Sequence, residues 1–496
     1  MRILIDTNIV IPLEDSTHVL EESLGKLVRL ANENGHQLIA HPSSYDDIRR
    51  DLDPRRREIS LSRLRKYSTL NDPPKPSATE VAALGLVERD DNDRVDNEIA
   101  YALYRDAANI LVTEDRELHK KAVTLGIADR VHYIQQATSF LECLHSRERV
   151  ALPSIEEVSL HQIDLKSTFF DSLRSDYPDP DFDDWYRKKA REGRAAWVYR
   201  DDRGNPGAIA IFKEEQDPIV TNDNRALRGK VLKLCTFKVG EHVRGRKLGE
   251  LLLKAAFRYA TKNQMEYIYV TMRPGKQDFL KDLCEDFGFA HYGEYKNDRV
   301  FVKQHPLCPP HAVLPPLEYH RQFYPHFRCT KEVRKYIVPI RPEFHEILFP
   351  DIQSQPDLFA TATAGHAIKQ AYLCYAKIGG IEAGDVLLFY RSQDMKAITS
   401  IGIVESAHEY QDHDKILQLV SKRTVYSYDD IVSMARKKTK VILFRLAVHL
   451  RDAIPYHWLL AQEVVNGQIQ TIREISDESF RRIAAQWGIS NCLLVD

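Results

Sequence analysis

The sequence predicts a multidomain chain of α/β and α+β type: a parallel-sheet domain at the N-terminal end, a mixed domain in the middle and a small β-barrel at the C-terminal end. Three observations lead there. The 496 residues exceed what one hydrophobic core usually supports, which predicts more than one domain. Over the first part, short apolar strands alternate with helical patterns, the signature of a parallel sheet. At 304–316, QHPLCPPHAVLPP is too rich in proline for a central strand or a continuous helix and reads as an extended connector. A second break falls at ALPSIEEVSL, 151–160. The expected divisions are therefore 1–148, 149–304, a proline-rich linker at 305–328, and 329–496.

Composition narrows the class. With 43% hydrophobic and 29% charged residues, and no apolar run approaching the roughly 18 residues a membrane helix needs, the chain reads as soluble and without a membrane partner. The start, MRILIDTN, carries an Asp inside its apolar stretch and does not resemble a secretory or transit signal, so a cytoplasmic location is expected. Cys143, Cys235, Cys284, Cys308, Cys329, Cys374 and Cys492 are too scattered for a zinc site and read as reduced thiols. A net charge of -2 leaves any polyanion contact to local basic patches. These are 54–66, with Arg55, Arg56 and Arg57, then 186–194 and 435–440.

In the first domain, RILI ends in Asp6-Thr7-Asn8, QLIAH leads through Pro42 into a helix carrying Asp47, RVDNEIAYALY places Asp96 in a helix, and NILVT leads to Asp115. Asp6 and Asp115 follow the carboxyl ends of strands, where open parallel sheets gather their ligand sites. Clustered carboxylates repel unless cations sit among them, so one or two hard divalent ions are expected. Such ions turn bound water into hydroxide and stabilise charge on a phosphate. The order strand-Asp-Thr-Asn, Pro42-x-x-x-x-Asp47, Asp96-x-x-Ile-Ala and Leu-Val-Thr-x-Asp115 resembles the PIN-domain ribonucleases. The resemblance implies that Asp6, Asp47, Asp96 and Asp115 hold Mg²⁺ or Mn²⁺ and hydrolyse RNA. The family commonly has Glu at the second position, and Asp46 is the alternate there. Asp93 would add a contact, with Thr7, Asn8 and Thr113 orienting water or phosphate.

The middle domain follows a strand-loop-helix pattern, VLKLCTFKV–GEHVRGRKL–GELLLKAAFRYATKN, whose helix N-terminus offers unpaired N–H groups to a pyrophosphate. Arg244-Gly245-Arg246-Lys247-Leu248-Gly249 resembles motif A of the GNAT acetyltransferases. That implies acetyl-CoA held by this loop together with Phe237 and Val239. Lys247 stands where the family has a glycine, and Cys284 where many relatives carry a Tyr general acid; Cys284 is read as a core residue rather than a nucleophile.

After the linker, GDVLLFYRSQD, SIGIVES and KRTVYSYDDI resemble the ASCH/EVE branch of the PUA-like superfamily, which implies a closed barrel that recognises RNA. Arg341, Lys377, Tyr390 and Arg391 are its candidate base or phosphate contacts. The leading expectation is a metal-dependent endoribonuclease with an acetyl-CoA-binding modifier or sensor. An N-acetyltransferase of RNA or protein, using the first domain as an RNA platform, is the first alternative; a non-catalytic RNA scaffold is the second. Because PIN domains often pair, a homodimer is one option for assembly.

Overall fold

The computed structural model describes residues 1–10, 17–145, 154–177, 181–201, 203–240, 243, 247–275, 277–307, 310–352, 362–364, 367–423, 425–488 and 493–495. The chain divides into two compact units. The first comprises 1–150, 244–246 and 409–439, and the second comprises 151–243, 247–408 and 440–496.

In the first unit, β1 (Arg2–Ile5), β2 (Gln37–Ala40), β3 (Ser68–Thr69), β4 (Ile110–Val112) and β5 (Val131–His132) form a sheet in the order β3-β2-β1-β4-β5, parallel throughout. β1 and β4 read as continuous apolar runs because both sheet faces are covered: Ile3, Leu4, Ile5, Ile110, Leu111 and Val112 are all fully buried. Helices Pro42–Arg49, Asp91–Tyr104 and Arg116–Thr124 follow the strands as expected. Residues 409–439, expected to belong to the barrel, instead count with this unit. They carry helices His413–Val420 and Tyr428–Ala435, the first burying Ile416, Leu417 and Val420 at helical spacing.

In the second unit, β6 (Ser154–Ser159), β7 (Ala195–Arg200), β8 (Pro206–Gln216), β9 (Lys230–Val239), β10 (Tyr267–Met272), β11 (Ala290–Tyr295) and β12 (Asp298–Gln304) form one sheet. Its order is β11-β12-β10-β9-β8-β7-β6, continued past β6 by the short strand at 362–364. β9 and β10 are its parallel pair; the others are antiparallel. Helix Leu248–Lys262 crosses over between β9 and β10, burying Leu251, Leu252, Ala255, Ala256 and Ala260 against the sheet with Leu232, Leu234 and Phe237.

The expected linker is not a free connector. Helix Pro316–Phe323 begins with proline at its first turn, where no N–H is needed, and Tyr319, Phe323, Tyr324 and Phe327 are buried. The remaining strands are β13 (Phe327–Arg328), β14 (Lys335–Ile340), β15 (Ala362–Ala364, the strand beside β6), β16 (Lys369–Cys374), β17 (Val386–Arg391), β18 (Ala397–Tyr410), β19 (Thr439–Pro455), β20 (Arg473–Ile475) and β21 (Leu494–Val495), six of which form the last sheet. Its order is β16-β19-β18-β17-β14-β20, and β13 pairs with β21 apart from it. Among the described residues the end strands β16 and β20 do not pair, so hydrogen bonds do not close the expected barrel. β14 runs parallel to β17 rather than as a meander.

Candidate functional site

The first unit brings the four expected aspartates to one edge of its sheet. Asp6 ends β1 and is 4% exposed. Its Oδ1 accepts from Thr7 N at 2.7 Å, and its Oδ2 accepts from Asn8 Nδ2 at 2.8 Å and Thr113 Oγ1 at 2.7 Å. Thr7, Asn8 and Thr113 are therefore committed to the carboxylate. Asp47 accepts from Thr7 Oγ1 at 3.3 Å and pairs with Arg50 at 3.0 Å, whereas its neighbour Asp46, the alternate, pairs outward with Arg49. Asp115 caps helix Arg116–Thr124 by accepting from Glu117 N at 2.7 Å. Asp96 lies 3.5 Å from Lys121, which also bonds Asp93 at 3.1 Å.

The edge is electrostatically strained. Burial pushes Asp6 up to about 6; the Thr113 and Thr7 bonds oppose this, while Asp115 and Asp47 add to it. Burial pushes Asp96 up to about 7 against the pull of Lys121, with Asp115 and Asp6 adding negative charge. Asp93 goes the other way, since Arg89 and then Lys121 hold it well below the carboxylate range. A divalent ion needs several oxygen ligands at about 2–2.6 Å. Among the described residues no three His, Cys, Asp or Glu side chains are grouped to hold one. The expected Mg²⁺ or Mn²⁺ set does not fit the side chains as they stand, because each carboxylate is engaged by a hydroxyl, an amide, a cap or a cation.

Of the basic patch, Arg55 and Arg56 are exposed on helix Pro54–Leu64, but Asp51 takes the Arg56 guanidinium through two bonds, and Arg57 reaches the Asp51 carbonyl at 3.1 Å. Part of the expected phosphate funnel is thus internally neutralised.

In the second unit the sheet parts where the sequence places its loop. β9 pairs with β10 from Val231↔Tyr267 to Leu234↔Val270 and then runs on to Val239 without that partner. On its other side the register slips, with Phe212 opposite Leu234 and Ile211 opposite Thr236, so Cys235 is the extra residue of a bulge. Phe237 is buried and Val239 half-buried against the helix side of the core. Arg244, Gly245 and Arg246 lie outside the described residues. Lys247 has φ +56°, a left-handed conformation that a glycine adopts freely and a lysine does not, and its Nζ donates to the Lys369 carbonyl at 3.1 Å. Leu248 is buried, and a Cβ on Gly249 would stand 2.8 Å from Leu283 Cδ2. Glu250, in the first turn, accepts from Lys369 N at 2.6 Å. Cys284 is fully buried in the core and its thiol is pushed up by burial, as a packing residue rather than a nucleophile.

Residues 159–289, which span these strands, the loop and helix Leu248–Lys262, match the model of the acetyltransferase (GNAT) family. The central part of the chain thus resembles a GNAT acetyltransferase domain. No curated protein matches the chain. Solved structures similar to it include ASCH from Zymomonas mobilis, at 10% identity, covering 32% of this chain and 98% of that one with TM-score 0.25. Others are an IAA acetyltransferase from Bacillus cereus, at 18% identity, 30% and 97% coverage and TM-score 0.22, and arylalkylamine N-acetyltransferase 2 from Aedes aegypti, at 9% identity, 22% and 72% coverage and TM-score 0.19. No helix among the described residues is long and apolar enough to cross a membrane.

Two of the expected barrel contacts are placed otherwise. Tyr390 is 5% exposed in the core beside Tyr456, so its face is not offered to a base. Arg391 is 8% exposed and bound to Asp394 and Glu346, so its fork is taken. Arg341 pairs with Glu343 at 3.1 Å and stacks over Phe344 near the surface, and Lys377 is exposed in the loop after β16. The reading of the sequence missed Arg194, Lys213, Glu215, Lys233 and Tyr269, which share one sheet face with Cys235. Their signal was present as charges at alternate positions, 213 and 215 in β8 and 233 in β9, inside otherwise apolar strands.

Proposed function

We propose that the chain is an acetyl-CoA-dependent N-acetyltransferase whose chemistry resides in the central domain. The observation that carries this reading is the parting of β9 from β10 at the Cys235 bulge, directly before the loop and helix Leu248–Lys262. An edge that loses its strand partner in a protein interior needs other hydrogen-bond partners, and the amides of a pantetheine arm are suited to supply them. The pyrophosphate would then meet the 244–249 loop. In the transfer, the acceptor amine nitrogen forms a bond to the acetyl carbonyl carbon, the carbon–sulfur bond breaks, coenzyme A leaves as thiolate, and the amine's surplus proton passes to water or to that thiolate.

Calorimetric titration of the full chain with acetyl-CoA tests binding, and transfer of labelled acetyl groups onto total protein and total RNA tests chemistry. Saturable binding that weakens in Gly249→Leu is expected. Absence of binding would remove the reading.

A second reading has its own support. The four aspartates of the first unit share one edge; although their carboxylates are engaged by other partners as they stand, the edge would suit the cleavage of RNA if those partners gave way, with Arg55, Arg341 and Lys377 as surface contacts and a PUA-like last domain selecting the RNA. Its test is RNA cleavage in Mg²⁺ or Mn²⁺ by the parent and by the doubly substituted Asp6→Asn, Asp115→Asn chain. Equal activity in the two, or none in either, eliminates it.

A further inference from the structure

On the sheet face opposite helix Leu248–Lys262, β8, β9 and β10 place a set of polar side chains that neither reading above uses. Lys213 stands directly opposite Lys233 across the β8–β9 ladder, and Tyr269 opposite Lys233 across the β9–β10 ladder. Like charges facing each other across a ladder destabilise a sheet unless something lies between them. Lys213 is paired with Glu215, which also accepts from Tyr269 Oη at 2.5 Å. Lys233 sits 5.2 Å above the Tyr269 ring and, among the described residues, has no carboxylate within ion-pair distance. Arg194, just before β7, reaches from the other side: one guanidinium nitrogen lies 3.7 Å from Cys235 Sγ and another 3.4 Å from Glu192 at the rim. Arg194, Lys213 and Lys233 thus converge on one half-buried floor, with Glu215 as the one carboxylate on the sheet between them among the described residues.

The position of this floor gives it meaning. It starts at Cys235, the bulge residue where β9 leaves β10, and runs back along β9 away from the 244–249 loop. A thioester held at the parted strands would lie at its upper end. A half-buried ammonium without an ion-pair partner of its own is costly, and an arriving anion lowers that cost. Burial lowers the Lys233 ammonium below the ordinary lysine range, with Cys235 and Glu215 opposing and Lys213 and Arg194 adding.

We infer that Arg194, Lys213 and Lys233 form an anion anchor beside the thioester site, so that the acceptor is an amine carrying a carboxylate or a phosphate. The identity of the anchor as an acceptor subsite rests on the acetyltransferase reading; the anion site itself does not.

Pyridoxal 5′-phosphate is a suitable probe, since its phosphate seeks the anchor and its aldehyde forms an imine with a deprotonated lysine amine, releasing water. Borohydride then reduces the imine to a stable secondary amine that peptide mass spectrometry can locate. In the full chain, Lys233 should be modified about tenfold faster than exposed Lys377, one contact's worth of selectivity. Lys213→Met and Arg194→Met, tested separately, should each lose most of that preference. Protection by inorganic phosphate or by glutarate, whichever is the stronger, identifies the class of anion. Modification of Lys233 no faster than Lys377, or protection by neither anion, overturns the inference. Acetyl-CoA calorimetry on the same sample separates the two claims: loss of binding with Lys233 still selectively modified sinks the acetyltransferase reading alone, and binding without selective modification sinks the anchor alone.

Discussion

Asp96 in the first unit and Asp286 in the second are both half-buried carboxylates beside a lysine, yet they are held in opposite states. Burial pushes Asp96 up to about 7, and Lys121, shared with Asp93, only partly restrains it. Burial acts on Asp286 in the same sense, but Lys369 and Arg445 together hold it below the usual carboxylate range. Arg445 is fully buried and bonds Asp286 and Glu405, each at 2.7 Å, so its charge is shared by two acids, and Lys369 adds a second cation at Asp286. The number of opposite charges per buried acid, rather than burial itself, separates a network whose acids stay ionised from an edge where a buried acid keeps its proton.

The comparison breaks most visibly at Arg445. Arg445→Met leaves Asp286 and Glu405 buried without their common partner and should cost the second unit about 3–5 kcal/mol in urea unfolding; a loss below about 1 kcal/mol would show that the network contributes little. Asp96→Asn should do the reverse. The folded chain keeps a proton on Asp96 from pH 3.8 up to about 7 that the unfolded chain has released, so stability falls as pH rises through that window and the cost is complete above it. The Asn variant should therefore gain about 2–4 kcal/mol at pH 8 and almost nothing at pH 4, read from thermal melts of the first transition.

Lys303 sharpens the contrast with a base. It is fully buried, donates to the Gln322 carbonyl at 2.7 Å, and burial lowers it to about 7. The unfolded chain then holds the extra proton between about 7 and 10.5, so stability rises with pH there, opposite in sign to Asp96. Lys303→Met should flatten that slope and add about 1–3 kcal/mol at pH 7. The smallest effect is expected at Ser77, where no charge is buried. Its capping box with Glu80 starts helix Ala78–Ala83, and Ser77→Ala should cost about 1 kcal/mol at pH 5 and at pH 8 alike.

What the sequence made legible follows from local physics. RILI and ILV are short apolar runs bounded by polar turns, and they became β1 and β4 with Asp6 and Asp115 just beyond their ends. The strand-loop-helix of the middle domain was equally plain, because its loop interrupts two strong periodicities. Helix Pro316–Phe323 was not, since proline suppresses a helical signal everywhere except the first turn it favours. The anchor face was hidden for another reason: Lys213, Glu215 and Lys233 alternate with apolar residues as a solvent-facing strand would, and only the pairing of β8 with β9 sets them opposite one another. The membership of 409–439 depends on contacts with residues far back in the chain, which no local pattern encodes. Tyr390 and Arg391 show the converse error, because a strand-end aromatic and a guanidinium look alike in sequence whether they face solvent or close a core.

That distant membership has a consequence in time. Strand β5 is an edge of its sheet, and His132 Nε2 on it lies 3.1 Å from Ser421 Oγ, across 289 residues of chain, while Ser421 Oγ donates to the Asp129 carbonyl at 2.7 Å and Lys422 to that of Ala128 at 2.6 Å. At roughly 5–20 residues per second, a ribosome makes His132 some 15–60 s before the serine that completes its surroundings. The part of the protein synthesised first is therefore among the last to be finished, and through that interval its outer strand must wait with an open side.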